Sequence, residues 1–494
     1  MMSAPVTTNE PSLYGRRSLG LLAGPLIAAT MLVAPPQVGM SQEAWQVAAV
    51  ALLMAIWWMT EALPLPITAL LPLVLFPLLG TAEIEAAAAP HSHPLIFLFL
   101  GGFLLARAAQ KWGLDRRLTH IVLSSGSREA AGLILSLMIA TAFLSMWVSN
   151  TATAMLMLPI GQSVIAAVQR RAGDRLEPEV AKFSAALMLG IGYAASIGGM
   201  GTLIGTPPNA LFAAFMRETY GVSIGFAAWM LVGVPAVVIL LPLSWLVLTR
   251  GSLRFSLPAL DRGIDASEGP LGSKLSPMSS AERVVAIVMG LTAIAWMMLP
   301  LLQAMLPRLK ITDAGIAVAA AILLFLLPAV GKGGEPLLTW QDARRVRWDV
   351  LILFGGGLSL AEAIRSSSLA AWLGEAASAL GALPLLGLVL AVAVLVILLG
   401  ELASNTAITA IFLPVAAATA VGIGVEPAVL AMTVALAASV GFMLPVATPP
   451  NAIVYGSGLI RIEHMLKVGV ILDLAGAVIV AFLAVTVGSW ALRS

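Results

Sequence analysis

The chain contains no cysteine and little charge. Cysteine is absent from all 494 residues, which excludes disulfides, iron–sulfur clusters and thiol chemistry. Charged residues make up 11% of the chain and the net charge is +2, and no basic stripe or zinc-ligand cluster suggests binding to nucleic acid. No G-x-x-x-x-G-K-[S/T] phosphate loop is present, so the chain carries no nucleotide-hydrolysis motif of its own.

Apolar residues dominate what remains. They make up 60% of the chain, and the mean hydropathy is +0.98. No water-soluble fold buries so large an apolar fraction, so the lipid bilayer surrounds most of the chain. The N-terminus is polar up to Arg17 and apolar from about 19 to 33, in the outline of a signal peptide. Because no Ala-x-Ala site followed by a soluble domain appears, we interpret this stretch as a retained first membrane helix.

Hydrophobic stretches predict an all-α polytopic membrane protein. A membrane helix needs about 20 apolar residues. About eleven transmembrane helices are predicted, at about 18–36, 43–61, 64–80, 94–111, 183–204, 222–249, 283–305, 311–331, 349–368, 428–446 and 467–490. Two further stretches, about 130–167 and 382–424, are longer. Each is either one over-long helix or a re-entrant hairpin.

Two polar motifs interrupt the apolar stretches, and both occur twice in the same order. Ser-Asn-Thr stands at 149–151 and again at 404–406, near the middle of the two long stretches. Thr-Pro-Pro-Asn follows each triplet, at 206–209 and 448–451. Polar side chains in apolar surroundings need partners, and Pro-Pro frees backbone groups that must also be satisfied. The repetition predicts that bound ions and a bound solute are those partners.

The distribution of basic residues predicts the topology. A cytoplasmic N-terminus puts most Lys and Arg on the cytoplasmic side, as the positive-inside rule requires, but only if 130–167 returns to the side from which it enters. Two hairpins from opposite sides then divide the chain into inverted repeats. The predicted segments are an N-terminal tail with the first helix (1–42), repeat 1 (43–249, hairpin about 130–167, broken helix about 183–218), a cytoplasmic linker (250–282), and repeat 2 (283–494, hairpin about 382–424, broken helix about 428–458).

The motifs favour cation-coupled uptake of a small anion. Ser, Asn and Thr cap helix N-termini, where free N–H groups attract anions. Two such ends facing each other suit a molecule with two carboxylates. No Arg or Lys lies within or next to the four motifs, so cations from solution supply the counter-charge. Carbonyls at helix breaks, with Ser and Asn oxygens, are ligands for a hard cation such as Na⁺. Nothing in the sequence requires a cofactor.

At these residues the chain resembles the divalent anion/sodium symporters. The two triplets, both Thr-Pro-Pro-Asn segments, Trp-Trp-Met-Thr-Glu-Ala at 57–62 and Asn-Ala-Ile-Val-Tyr-Gly-Ser-Gly at 451–458 carry the resemblance, which runs from about 43 to 490. It implies an elevator-type homodimer with a scaffold part and a mobile transport part. It also implies sodium symport of a small dianion, for which we expect a C4-dicarboxylate (succinate, malate or fumarate), across a bacterial inner membrane.

The resemblance also implies site residues. A first sodium site would be formed by Ser145, Ser149, Asn150 and Gly205, and a second by Gly400, Ala403, Asn405 and Ala447. Substrate contacts would come from Asn150, Thr151, Thr206, Ser404, Asn405, Thr406 and Pro449. Many relatives have a hydroxyl residue where this chain has Gly400. A backbone carbonyl ligand survives that change, and a hydroxyl ligand does not.

Several alternatives stay open at this point. The cargo can be sulfate, tartrate or a tricarboxylate, and the mechanism can be sodium-independent or proton-coupled exchange on the same fold. Glu401 is either functional or an acid at the wall of a water-filled vestibule. His91 and His93 lack a third metal ligand and are interpreted as loop residues. An enzyme is not expected, because Ser149 and Ser404 have no His or Lys neighbour.

Overall fold

A computed structural model describes residues 11–124, 129–172, 176–257, 277–329 and 334–488. Within these ranges the regular structure is helical, apart from one isolated β-bridge between Pro328 and Pro336. The prediction of an all-α polytopic membrane protein is confirmed. Nine helices in the described ranges are long and apolar enough to cross a membrane, or ten if one bent pair counts as a single span. Residues 1–10 of the N-terminal tail and 258–276 of the linker lie outside the described residues.

The first part of the chain forms seven helices. They are α1 (Pro11–Val33), α2 (Gln42–Thr60), α3 (Leu65–Thr68), α4 (Leu71–Leu79), α5 (Ile84–Ala88), α6 (Pro94–Trp112) and α7 (Leu114–Ser124). Ser41 starts α2, because its hydroxyl accepts a hydrogen bond from the Ala44 N–H at 3.0 Å. The single helix predicted at about 64–80 is wrong. It is divided between α3 and α4, because Pro72 favours a helix start and cannot continue a preceding helix.

The first hairpin and the first broken helix come next. They comprise α8 (Ala130–Ser145), α9 (Asn150–Ala172), α10 (Glu177–Gly199), α11 (Pro207–Tyr220) and α12 (Phe226–Leu246). Both α8 and α9 pack against α10. Every residue from 183 to 199 in α10 is buried, so this helix lies in the centre of the molecule.

The middle of the chain contains α13 (Ser280–Met297), α14 (Leu299–Met305), α15 (Asp313–Leu326), α16 (Trp340–Ala343), α17 (Trp348–Ser366) and α18 (Leu369–Ala376). Ser279 and Glu282 form a reciprocal capping box at the start of α13. The predicted helix at about 283–305 is divided at Met298, since Pro300 lies in the first turn of α14. The pair α17 and α18 is bent by 74°.

The last part of the chain has the same order of elements as α8–α12, namely a helical hairpin, a broken helix and a final long helix. It comprises α19 (Leu385–Gly400), α20 (Asn405–Gly422), α21 (Pro427–Ala437), α22 (Pro449–Tyr455) and α23 (Ile462–Leu483). Both α19 and α20 pack against α21. The helix predicted at about 428–446 ends earlier, at Ala437, and an unwound segment leads to α22.

Apolar side chains cover the outside of the molecule. On α1, Leu22 and Leu26 are 74% and 66% exposed, and on α23 Phe482 is 58% exposed. Surface of this kind is stable in hydrocarbon and unfavourable in water. The protein is therefore an integral membrane protein whose polar motifs lie in the interior.

Candidate functional site

The first Ser-Asn-Thr triplet lies where α8 ends and α9 begins. The chain turns at residues 146–149, and Asn150 is the first residue of α9. The Ser149 hydroxyl accepts a hydrogen bond from the Ala152 N–H at 3.4 Å, as an N-cap residue does. Asn150 and Thr151 are half-buried. The predicted position of the triplet at a helix N-terminus is confirmed, and the partial positive charge of that end is directed at the turn.

The side-chain amide of Asn150 lies inside a cluster of oxygen atoms. One end of this amide is 2.8 Å from Ser145 Oγ and 3.2 Å from the carbonyl oxygens of Ala195 and Gly205. With its nitrogen towards the cluster, the amide donates to all three oxygens. With its oxygen towards the cluster, the amide accepts a hydrogen bond from the Ser145 hydroxyl and faces two carbonyl oxygens, an arrangement that a bound cation would stabilise. Ser145, Asn150 and Gly205 of the first predicted sodium site are thus brought together, whereas the Ser149 hydroxyl caps α9.

Gly199 allows this close approach. A Cβ atom on Gly199 would lie 2.3 Å from Asn150 Oδ1, a distance at which one of the two groups must move. Gly199 is also the last residue of α10, directly before the unwound segment 200–206. The first hairpin tip and the first helix break therefore touch at a position where any side chain would displace the Asn150 amide.

The asparagine of the first Thr-Pro-Pro-Asn segment holds the first break together. Asn209 Nδ2 donates to the carbonyls of Gly199 at 3.0 Å and Thr202 at 2.7 Å, ten and seven residues earlier. The Trp229 indole N–H donates to the Met200 carbonyl at 2.9 Å. These bonds satisfy carbonyls that the interrupted helix leaves without partners.

The asparagine of the second Thr-Pro-Pro-Asn segment bonds to the second break in the same way. Asn451 Nδ2 donates to the carbonyls of Gly441 at 2.9 Å and Leu444 at 3.1 Å, again ten and seven residues earlier. Thr448 also caps α22, since its hydroxyl accepts from the Asn451 N–H at 3.3 Å. Thr206 makes no such cap bond to α11, so its buried hydroxyl keeps its hydrogen-bonding capacity.

The second triplet begins α20. Ser404 is the N-cap residue and Asn405 the first helical residue, and the Ser404 side chain makes no cap hydrogen bond. Ser404 and Asn405 are half-buried, Thr406 is buried, and Pro449 at the start of α22 is exposed. As predicted, this triplet also lies at a helix N-terminus.

The four residues of the second predicted sodium site are divided between the hairpin tip and the break. Gly400 and Ala403 lie at the tip with Asn405, and Ala447 lies in the break. A Cβ atom on Gly400 would meet open space, so the first site's Ser145 oxygen has no side-chain counterpart there. Ala447 lies close to Glu401, since each has an atom within 3.6 Å of the position of a Cβ atom on Gly441.

The two halves of the chain interlock through these elements. Helix α9, which begins at the first triplet, packs against α22 of the second half. Helix α20, which begins at the second triplet, packs against α11 of the first half. Each triplet helix therefore contacts the helix that begins at the Pro-Pro pair of the other half, and all four motifs belong to one packed unit.

Two side chains near the second hairpin tip were not predicted from the sequence. Asp473, in the middle of α23, accepts a hydrogen bond from the Phe442 N–H at 3.1 Å. An acid in the middle of an apolar helix is a signal that could have identified it. Arg16 of α1 donates to the Leu402 carbonyl at 2.7 Å, although the two residues are 386 positions apart. A basic residue therefore lies beside the second triplet in space, which the sequence around the motifs did not indicate.

The two histidines have packing roles. His93 Nδ1 accepts a hydrogen bond from the Leu95 N–H at 3.2 Å and caps α6, while its Nε2 lies 2.9 Å from Glu218 Oε1. The His91 ring lies against Gly355 of α17. Within the described ranges, no group of three or more His, Cys, Asp or Glu side chains is arranged to hold a metal ion.

Comparison with known proteins identifies the family. The model of the sodium:sulfate symporter transmembrane region matches residues 16–492. The chain belongs to this family. Among its curated relatives, the sodium-dependent dicarboxylate transporter SdcS of Staphylococcus saprophyticus is 40% identical to this sodium:sulfate symporter family member over 466 residues, which are 94% of this chain and 89% of the relative. SdcS of Staphylococcus aureus is 39% identical over the same length and the same shares.

A solved structure shares the fold of this family member. The YdaH transporter of Alcanivorax borkumensis, described as having an unusual topology, superposes with a TM-score of 0.53 over 97% of this chain and 98% of that chain. Sequence identity is 14%, so the likeness concerns the fold alone.

Proposed function

We propose that the protein is a secondary active transporter that carries a C4-dicarboxylate, such as succinate, malate or fumarate, into the cell together with Na⁺. The observation that carries this proposal is the 40% identity over 94% of the chain to a transporter named sodium-dependent dicarboxylate transporter. The oxygen cluster around Asn150 supports it independently, because it has the ligands of a hard cation.

The anion would bind between the two hairpin tips. Helices α9 and α20 both begin at a triplet, and their N-terminal N–H groups attract carboxylates. The side chains proposed to contact the substrate are Asn150, Thr151, Thr206, Ser404, Asn405, Thr406 and Pro449. The hydroxyls of Thr206 and Ser404 make no cap bond, so they can donate to a carboxylate. Arg16 donates to the Leu402 and Met59 carbonyls and to no residue of the proposed site. We therefore assign the counter-charge of the anion to the bound cations.

Sodium would bind on either side of the anion. The first site would use Ser145, Ser149, Asn150 and Gly205, and the second Gly400, Ala403, Asn405 and Ala447. Each site joins a hairpin tip to a helix break, so a bound ion stabilises the arrangement that presents the helix N-termini to the substrate. Binding of cation and anion is thereby coupled, because each favours the same geometry.

The architecture supports transport by an elevator movement of inverted repeats. The asparagines at 209 and 451 make equivalent bonds at equivalent spacing, as two copies of one unit would. In this proposal the hairpins and broken helices move as one body against a scaffold in a homodimer. The membrane is the bacterial inner membrane, with the N-terminus in the cytoplasm. Cross-linking and native mass spectrometry in mild detergent test the dimer.

Uptake into proteoliposomes tests the function. Radiolabelled succinate is supplied with an inward Na⁺ gradient, an equal K⁺ gradient or an inward proton gradient. We expect accumulation with Na⁺ alone, and competition by malate and fumarate but not by sulfate, tartrate or citrate. Uptake driven by a proton gradient would indicate proton coupling instead of sodium symport, and uptake that requires succinate preloaded inside would indicate exchange. If another anion competes more strongly than malate and fumarate, that anion becomes the proposed substrate.

A further inference from the structure

Two carboxyl groups meet in the interior of the second repeat, outside the predicted site. Glu401 follows Gly400 at the hairpin tip and is 2% exposed. Asp473 lies in the middle of α23 and is 4% exposed. The two carboxyl groups interact directly, and Asp473 Oδ2 has no other partner within the described part of the chain. A hydrogen bond between two carboxyl groups requires a proton on one of them, so the pair carries a single negative charge.

Both acids also hold the backbone of the second break. Glu401 Oε1 accepts from the Met443 N–H at 2.9 Å, and Oε2 accepts from the Leu444 N–H at 2.7 Å. Asp473 Oδ1 accepts from the Phe442 N–H at 3.1 Å. Three consecutive N–H groups of the unwound segment are thus bonded to two acids. The break is fastened to the hairpin tip on one side and to α23 on the other.

The first repeat makes the equivalent connection without any acid. Met146 stands three residues before the first triplet, as Glu401 does before the second, and Thr202 corresponds to Leu444 in the break. Here the Thr202 hydroxyl donates to the Met146 carbonyl at 2.5 Å. A neutral hydrogen bond is therefore sufficient to fasten a hairpin tip to a break, so this task alone does not require a carboxyl group at position 401.

The acids occur in the repeat whose cation site lacks an oxygen. Ser145 Oγ belongs to the first cluster, whereas the corresponding Gly400 faces open space. Glu401 Oε1 and Ala447 Cβ would lie 3.6 and 3.5 Å from a Cβ atom on Gly441, so the carboxyl reaches the break beside Ala447. Compared with the first hairpin tip, the second tip therefore lacks a hydroxyl ligand and has an acidic side chain at the next position.

The pair has no basic partner among the described residues. No Lys, Arg or His side chain there forms an ion pair with Glu401 or Asp473, and Arg16 contacts the neighbouring Leu402 carbonyl instead. Buried negative charge without a counter-ion is strongly unfavourable inside a membrane protein. A cation at the second site would provide that counter-charge.

We propose that Glu401 and Asp473 are positioning residues that together supply one negative charge and a fixed backbone for cation binding in the second repeat, in place of the hydroxyl missing at Gly400. The inference rests on the proposed sodium coupling. The cation affinity of the second site then depends on two acids that contact the backbone next to the predicted ligands, whereas the first site has neutral ligands only.

Neutral variants of the two acids test this proposal. In the double variant Glu401→Gln/Asp473→Asn, which removes the shared charge, the Na⁺ concentration that gives half-maximal succinate uptake should rise roughly tenfold. Each single variant leaves one acid to carry the charge and should raise this concentration less. The KM for succinate at saturating Na⁺ should stay within about twofold of wild type. Glu463→Gln, an exposed acid on the same helix, is the matched control and should change neither value.

A rescue variant separates charge from general damage. Gly400→Thr in the background of the double variant places a hydroxyl in open space and should recover part of the lost Na⁺ affinity. Sodium-dependent thermal stabilisation of the detergent-solubilised protein gives the same affinities without transport. If the double variant does not fold, Gly400→Thr in the wild-type chain decides and should lower the half-maximal Na⁺ concentration.

The outcomes distinguish the two proposals. Wild-type uptake that is independent of Na⁺ would overturn the proposed function itself. Sodium-dependent wild-type uptake with an unchanged Na⁺ requirement in the folded double variant would overturn the role of the acid pair alone. If only Gly400→Thr is measurable and it leaves the Na⁺ requirement unchanged, the acid pair is likewise rejected.

Discussion

The hydroxyl of Tyr193 donates a hydrogen bond to the carbonyl of Phe442, 2.8 Å away and 249 residues later in the chain. The two rings also pack together, with centroids 4.9 Å apart. Tyr193 belongs to the buried part of α10, and Phe442 lies in the unwound segment of the second repeat. Helix α10, which leads to the first break, is thus bonded to the unwound segment between α21 and α22. The two breaks therefore belong to one rigid unit.

Removal of this hydroxyl should weaken the unit. Tyr193→Phe keeps the ring contact and leaves the Phe442 carbonyl buried without its donor, which lowers the free energy of unfolding by about 1–3 kcal/mol. Thermal unfolding of the purified protein in detergent measures the change. Tyr455→Phe, at a half-buried position, serves as the control. Equal unfolding temperatures for Tyr193→Phe and the wild type would show that the cross-repeat bond does not stabilise the fold.

A methyl group at Gly199 should disturb the first cation site. The new Cβ would lie 2.3 Å from Asn150 Oδ1, so the Asn150 amide has to leave the oxygen cluster. We expect Gly199→Ala to raise the half-maximal Na⁺ concentration about tenfold or more, the equivalent of at least 1.4 kcal/mol. Gly387→Ala, where the added atom meets open space, is the matched control and should behave as wild type. Equal Na⁺ requirements in both variants would contradict the packing argument.

Both triplet asparagines should be essential for coupled uptake. Asn150→Ala removes the amide that lies between Ser145 and the Ala195 and Gly205 carbonyls, and Asn405→Ala removes its counterpart at the start of α20. Each variant should reduce sodium-driven succinate uptake to background while the protein is produced and inserted in normal amounts, as quantified by immunoblotting of membranes. Near-normal transport by both variants would disprove the assignment of the site.

The triplet threonines should act on the anion more than on the cation. Thr151→Ala and Thr406→Ala each remove one hydroxyl that can donate to a carboxylate, a bond of about 1.5–3 kcal/mol, so the KM for succinate should rise about ten- to a hundredfold. The half-maximal Na⁺ concentration should move much less. Thr→Ser at either position retains the hydroxyl and should restore most of the affinity. A KM at the wild-type value in both alanine variants would remove these two contacts from the proposed site.

The motifs were predictable because their chemistry is local. A Ser-Asn-Thr triplet followed by an apolar run indicates a helix N-terminus, and both α9 and α20 begin there. A Pro-Pro pair after an apolar run likewise indicates a helix start, and both α11 and α22 begin at that pair. Propensities and capping act over a few residues, so one sequence is sufficient for them.

The contacts that build the site were not predictable, because they depend on the path of the unwound segments. Asn209 and Asn451 pair with carbonyls ten residues earlier, which requires knowledge of how each break folds back. The contact of Asp473 with Phe442 depends on how α23 packs against the break. Proline positions also misled the prediction at about 64–80 and 283–305, where a hydropathy run continues across a helix break.

The central claim is that both triplets line one aqueous cavity that holds the anion. Since the chain has no cysteine, Ser149→Cys and Ser404→Cys each introduce a single thiol. Labelling of each variant in proteoliposomes by a membrane-impermeant thiol reagent, with and without saturating succinate and Na⁺, measures access to that cavity. We predict that both thiols react in the absence of substrate and that succinate with Na⁺ protects both. If either thiol is unreactive, or if substrate protects only one, the two triplets do not share a binding site.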